Sequence, residues 1–151
     1  MTPLIFLLVS FTIAFLINKL GLKGKWSISF IGRIALSIML VVTGTAHFFK
    51  TELMIAMLPE VIPFKIYMVY FTGVIEIAAA LGLLTSRFSR LTSILLVIFF
   101  ISILPANIVG SIKQVGLGGM ENGVQYLYFR IPLQLFFIFW VYFFGVRLNK
   151  K

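Results

Sequence analysis

Five long apolar runs, cut apart by short basic connections, leave this chain few ways to fold. They extend from Thr2 to Asn18, Ile28 to Phe49, Ile66 to Ser86, Leu91 to Ile112 and Val124 to Val146. A helix crossing the ~30 Å hydrocarbon layer of a membrane needs about 20 mostly apolar residues, and every run is near that length. Backbone groups in lipid must be satisfied internally, which leaves helices or closed barrels, and these runs lack the alternation of a barrel. The expected fold is all-α, a polytopic membrane protein with five spans. Of the 151 residues, 61% are hydrophobic and only 11% are charged. Soluble domains carry about 45 to 50% and about 25%, so a water-soluble globule is excluded.

The formal charge is 13 − 4 = +9. Such a balance would normally raise nucleic acid as a partner, but here the basic residues punctuate apolar runs and form no patch, so the partners expected are membrane lipids, not nucleic acid. Lys19, Lys23, Lys25, Arg87, Arg90, Arg147, Lys150 and Lys151 flank the spans on one face, against Lys50, Lys65 and Lys113 on the other. The positive-inside rule makes the richer face cytoplasmic, with the N-terminus outside and the C-terminus inside. Trp26 and Tyr142 then anchor the inner interface, and Tyr67, Tyr126 and Tyr128 the outer one. The first span has no basic residue before it and no small-x-small cleavage site after it, so a retained helix is expected in place of a cleaved signal peptide. Residues 1–26 read as an N-terminal transmembrane helix with its cytoplasmic loop, and 27–151 as a four-helix bundle.

Two connections are informative. The stretch from Lys50 to Lys65 contains MLPEVIP and is too short to span; it is expected at the outer interface, either resting on headgroups or lying as a lid over a site. KQVGLGGMENG, rich in glycine, reads as a flexible outer loop.

Ionisable groups inside spans cost about 2.5 to 3.5 kcal/mol on insertion scales, so each one calls for a reason. Arg33, His47, Glu76 and Arg130 are of this kind, accompanied by Asn107 and Gln134. Counting ~1.5 Å per residue from the outer end of each span puts Glu76 and Gln134 ~15 Å deep, Arg130 ~9 Å, Asn107 ~6 Å and His47 ~2 Å. All five fall in the outer half, on four different helices, and would surround a cavity opening outward. Arg33, Ser37, Leu40, Gly44 and His47 form one helical stripe, and Thr72, Gly73, Glu76, Ala79 and Ala80 a second. The second is small apart from its glutamate, as suits close helix approach. Pro105 should kink the fourth span just before Asn107.

Each group also has a purely structural reading. Glu76 and Arg130 would pair across two helices, their depths differing by ~6 Å, within reach of an arginine. His47 would reach headgroups, Asn107 and Gln134 would bond between helices, and Arg33 would snorkel to the inner boundary. With no cysteine, disulfides, thiolate metal sites and thiol redox chemistry are excluded; a single histidine excludes a haem held by two histidines of this chain. Met54 and Met57 read as packing residues ahead of copper ligands.

From Arg33 onward the chain resembles the DoxX family of small bacterial membrane proteins. The resemblance rests on RIALSIMLVVTGTAHF from Arg33 to Phe48, MLPEVIP from Met57 to Pro63, TGVIEIAAALGLL from Thr72 to Leu84, PAN from Pro105 to Asn107, and RIPLQ from Arg130 to Gln134. It implies a four-helix transmembrane bundle in a bacterial inner membrane, to which this chain adds one preceding helix. It also implies a quinone-linked role beside a redox-enzyme partner, with His47, Glu76, Asn107, Arg130 and Gln134 at the recurrent polar positions. The leading expectation is thus an outward cavity that binds a small lipid-soluble ligand, with a bound quinone as the cofactor, in support of a redox or detoxification partner. The alternative is a non-enzymatic membrane assembly or chaperone-like protein whose polar groups only fasten helices. Whether the chain is an enzyme, and whether it forms a homo-oligomer, the sequence leaves open.

Overall fold

The computed structural model describes residues 2–21 and 24–149; Lys23, Lys150 and Lys151, three of the topology-setting cations, lie outside that range. All its regular elements are helical. They are α1 (Thr2–Leu20), α2 (Ile28–Phe49), the short α3 (Thr51–Met57), α4 (Lys65–Leu84), α5 (Ser89–Ser102), α6 (Leu104–Ile112) and α7 (Leu127–Tyr142). A 3₁₀ segment, Met120–Tyr126, precedes α7 and a π-helical turn, Phe143–Arg147, follows it. Five helical stretches are long and apolar enough to cross a membrane, with α5 and α6 together making the fourth and Met120–Arg147 the fifth.

The sequence explains why these helices start and stop where they do. Ser27 caps α2 by accepting the Phe30 amide through its side chain, satisfying an amide that the first turn leaves free. Pro105, with no amide to give, sits in the first turn of α6, and the fourth span breaks at Ile103, two residues earlier than a kink at the proline itself.

A central α2 packs against α4 on one side and α1 on the other, while α7 lies on α5. The shared core runs through Leu7, Leu36, Leu40, Leu83, Leu96 and Phe137. Leu7 belongs to α1, and Phe11 sets its ring edge-on against Trp140 at 5.1 Å, so the added first helix shares the core of the other four spans. At Gly44 and Gly73 the backbones of α2 and α4 approach so closely that a Cβ on either glycine would sit 3.0 Å from the other's carbonyl oxygen. The small stripe on α4 serves this crossing.

Where the polar side chains end α-helical ladders, they bond across to neighbours. Arg33 Nη1 donates to the Leu83 carbonyl in the last turn of α4 (3.0 Å), and Ser37 to Ala80 (3.0 Å). Trp140 Nε1 donates to Gly32 (3.1 Å). Arg33 is therefore buried between helices, its guanidinium over the Phe30 ring and bonded to the last turn of α4.

The stretch read as a flexible loop is folded. Met120 and Val115 are buried with Met57 of α3 in a small second core, and Gly119 and Gly123 supply the positive φ angles that turn the chain back over it. This cluster, α3 and the loop after α3 together cap one end of the bundle.

Candidate functional site

Beneath that cap lies a cavity of about 370 Å³, bounded by α2, α3, α4 and the α5–α6 break. Its walls are mostly apolar, among them Met54, Met57, Ile62, Phe71, Ile75 and Phe99. The polar residues that line it are His47, Thr72, Glu76, Ser102 and Asn107. The Lys50–Lys65 connection forms one wall of this cavity.

The Gly44–Gly73 crossing brings His47 and Glu76 together. His47 Nε2 lies 3.4 Å from Glu76 Oε1, and the Thr43 hydroxyl donates to the other carboxylate oxygen. Their estimated depths differ by ~13 Å, which would keep them apart, yet two features close the gap. Side chains lean toward the N-terminus of their own helix, and α2 and α4 run antiparallel, so His47 leans into the bundle and Glu76 out toward it. The two helix ends are also not level: Gly44 stands five residues before the end of α2 and Gly73 eight after the start of α4.

On the far side of the ring, His47 Nδ1 lies 2.9 Å from the Val69 carbonyl and 3.2 Å from the Thr72 hydroxyl. The contact with a carbonyl is a hydrogen bond only with a proton on Nδ1. Nε2 and Oε1 then face each other at 3.4 Å, and a proton on Nε2 would make their contact an ion pair. Glu76 is only 5% exposed, so the pair stands in a site largely closed to water.

Opposite stands Asn107, 3% exposed. Its Oδ1 accepts from Arg130 Nη2 at 3.0 Å, which fixes the amide with the nitrogen free; Nδ2 is buried and has no hydrogen-bond partner. An unpaired buried amide costs about 1 to 3 kcal/mol, unless something in the cavity accepts from it.

The expected ion pair between Glu76 and Arg130 is not formed. Among the described residues the carboxylate pairs with His47, and Arg130 has no carboxylate within ion-pair distance. The reason is the packing order: α4 lies on α2, which supplies Thr43 and His47, whereas α7 lies on α5 and α6, which supply Asn107. Gln134 does not line the cavity. Its Nε2 donates 2.8 Å to the Phe100 carbonyl, in the last turn of α5 where the break leaves acceptors free. Of the five site residues read from the sequence, His47, Glu76 and Asn107 line one cavity, Arg130 holds Asn107 from behind, and Gln134 braces the broken helix. Thr43 was missed because a threonine in a span carries no insertion penalty that would draw attention to it.

The family described as a domain of unknown function (DUF8561) has a model that matches residues 36–145, and the chain belongs to that family. The match takes in every polar group of the cavity and leaves out α1 and Arg33. No curated protein and no solved structure matches the chain.

Proposed function

Membership of a family without an assigned function leaves the cavity to carry the reading, and we propose that this is a bacterial inner-membrane protein of the DoxX type, N-terminus outside, that binds a quinone headgroup in support of a redox or detoxification partner. The observation that carries the reading is Asn107. Its oxygen is committed to Arg130, and its nitrogen, buried beside a mostly apolar cavity, is left as a donor with nothing to donate to. A carbonyl on a flat apolar ring satisfies that donor and fills the walls at the same time. Across the cavity stand the His47 imidazole and the Glu76 carboxyl, 3.4 Å apart, groups that can donate or accept a hydrogen bond, and that pair suits an oxygen that is a carbonyl in one state of the ligand and a hydroxyl in the other. The cavity volume is in the range of small-molecule sites. The motif likeness to DoxX proteins supports the same ligand class.

A second reading, a membrane assembly protein whose polar groups only fasten helices, is favoured by Arg33, Ser37, Trp140 and Gln134, each of which bonds a carbonyl of another helix. Mass spectrometry of lipid-soluble molecules retained by gently solubilised protein separates the two. The ligand reading predicts a quinone at a stoichiometry near the protein's own, lost in Asn107→Asp. A protein carrying only bulk phospholipid supports the second reading.

A further inference from the structure

The cavity continues along the lipid-facing surface. A second hollow of about 270 Å³ lies between α4 and α5, lined by Ala78, Ala79, Thr92, Leu95 and Leu96, and it shares Ile75 and Phe99 with the first. The two are neighbours, with Ile75 and Phe99 as their common wall. At the cavity's side, Phe71, Ser102 and Pro105 line the wall and are themselves exposed, at a depth where the surroundings of a spanning helix are acyl chains. The opening therefore faces sideways, between α4 and the α5–α6 break, and the cap closes the end that was expected to be open.

The two together have a direction. Their polar residues, His47, Thr72, Glu76, Ser102 and Asn107, line the capped cavity. Beyond Ile75 and Phe99 the lining is apolar apart from Thr92. Down α5 from Phe99 to Thr92 is seven residues, ~10 Å of helix, running away from the cap from mid-span toward the span's other end. A ligand with a polar head and an apolar chain has the same order, its head under the cap and its chain running past mid-span.

We infer that the site takes a single-chain, tailed ligand that enters laterally from the bilayer between α4 and α5, its polar ring in the capped cavity and the first part of its apolar chain in the α4–α5 hollow. The inference rests on the headgroup reading above and adds the class of molecule and its route. The small side chains of Ala78 and Ala79 keep the hollow open, and the break at Ile103 supplies the doorway by interrupting the helix that would otherwise close against α4. Transfer of the chain from lipid into the hollow gains little, because both are apolar. The hollow matters sterically: a chain attached to a ring bound in the cavity needs a way out, and a filled hollow denies it.

The test uses full-length protein in detergent and two probes with the same 1,4-benzoquinone ring, one with no chain and one with a decyl chain. Wild type binds both. Ala79→Phe, which fills the hollow and touches none of the polar groups, is expected to weaken the chained probe roughly 5- to 150-fold, the scale of an overpacked slot, and to leave the chainless probe unchanged. Leu95→Trp, on the exposed α5 side of the hollow, is the second variant should Ala79→Phe fail to fold. Equal weakening of both probes, or of neither, overturns the tail path while the headgroup reading stands. Failure of the chainless probe to bind wild type removes the headgroup reading itself.

Discussion

A threonine, a glutamate and a histidine, brought into one line by two glycines, set the character of the cavity. Because Glu76 touches His47 and Thr43 and lacks direct contact with Arg130, the energetic coupling of the carboxylate should follow the same order. A double-mutant cycle of Glu76→Gln with His47→Ala, read by thermal denaturation in detergent, is expected to give about 0.5 to 3 kcal/mol of interaction energy. The cycle with Arg130→Gln should give less. The opposite ranking would place the arginine, not the histidine, beside the carboxylate. Much of this residue-scale picture was legible, since inserting an ionisable group into a span demands a reason and the sequence has few such groups. The pairing was not legible. Depth counting treats helix ends as level and side chains as radial, and both assumptions fail for His47 and Glu76, whose side chains lean toward each other from antiparallel helices.

At the scale of the element, the α2–α4 crossing decides whether the site exists. A Cβ on Gly73 would meet His47 Cβ at 2.8 Å and the Gly44 carbonyl oxygen at 3.0 Å, and the backbone atom cannot step aside as a flexible side chain can. Gly73→Ala should therefore cost about 1 to 3 kcal/mol, the scale of overpacking, and lower the thermal midpoint in detergent. Gly116→Ala, in a position with open space around it, is the matched control and should be near neutral. Equal effects would mean that the helices are not held at this crossing. The five apolar runs and the small stripe on α4 announced these elements from period and length alone, because lipid leaves the backbone no other choice. The cap was not announced. Glycine-rich polar sequence carries no signal that Met120 and Val115 would fold back onto Met57, a contact made across about sixty residues of chain.

For the whole molecule, the charge distribution predicts an orientation. Lys19, Lys25, Arg87, Arg90 and Arg147 lie at the end away from the cap, where none of the chain's four acidic residues is found; Glu52, Glu60 and Glu121 are at the capped end and Glu76 is within a span. A periplasm-active reporter fused after Lys151 should be silent and a cytoplasm-active one bright. The reverse would turn the capped cavity toward the cytoplasm. The central claim, that the cavity receives a ligand carbonyl at the free amide of Asn107, is tested most directly by Asn107→Asp. The substitution keeps an oxygen for Arg130 and removes only the unpaired N–H. Titrating the chainless benzoquinone into wild type and variant is expected to show a thermal midpoint that holds or rises, because Arg130 gains a charged partner, and an affinity that falls about 5- to 150-fold, the scale of one lost hydrogen bond to a buried group. Unchanged affinity in a stable Asn107→Asp protein would contradict the account.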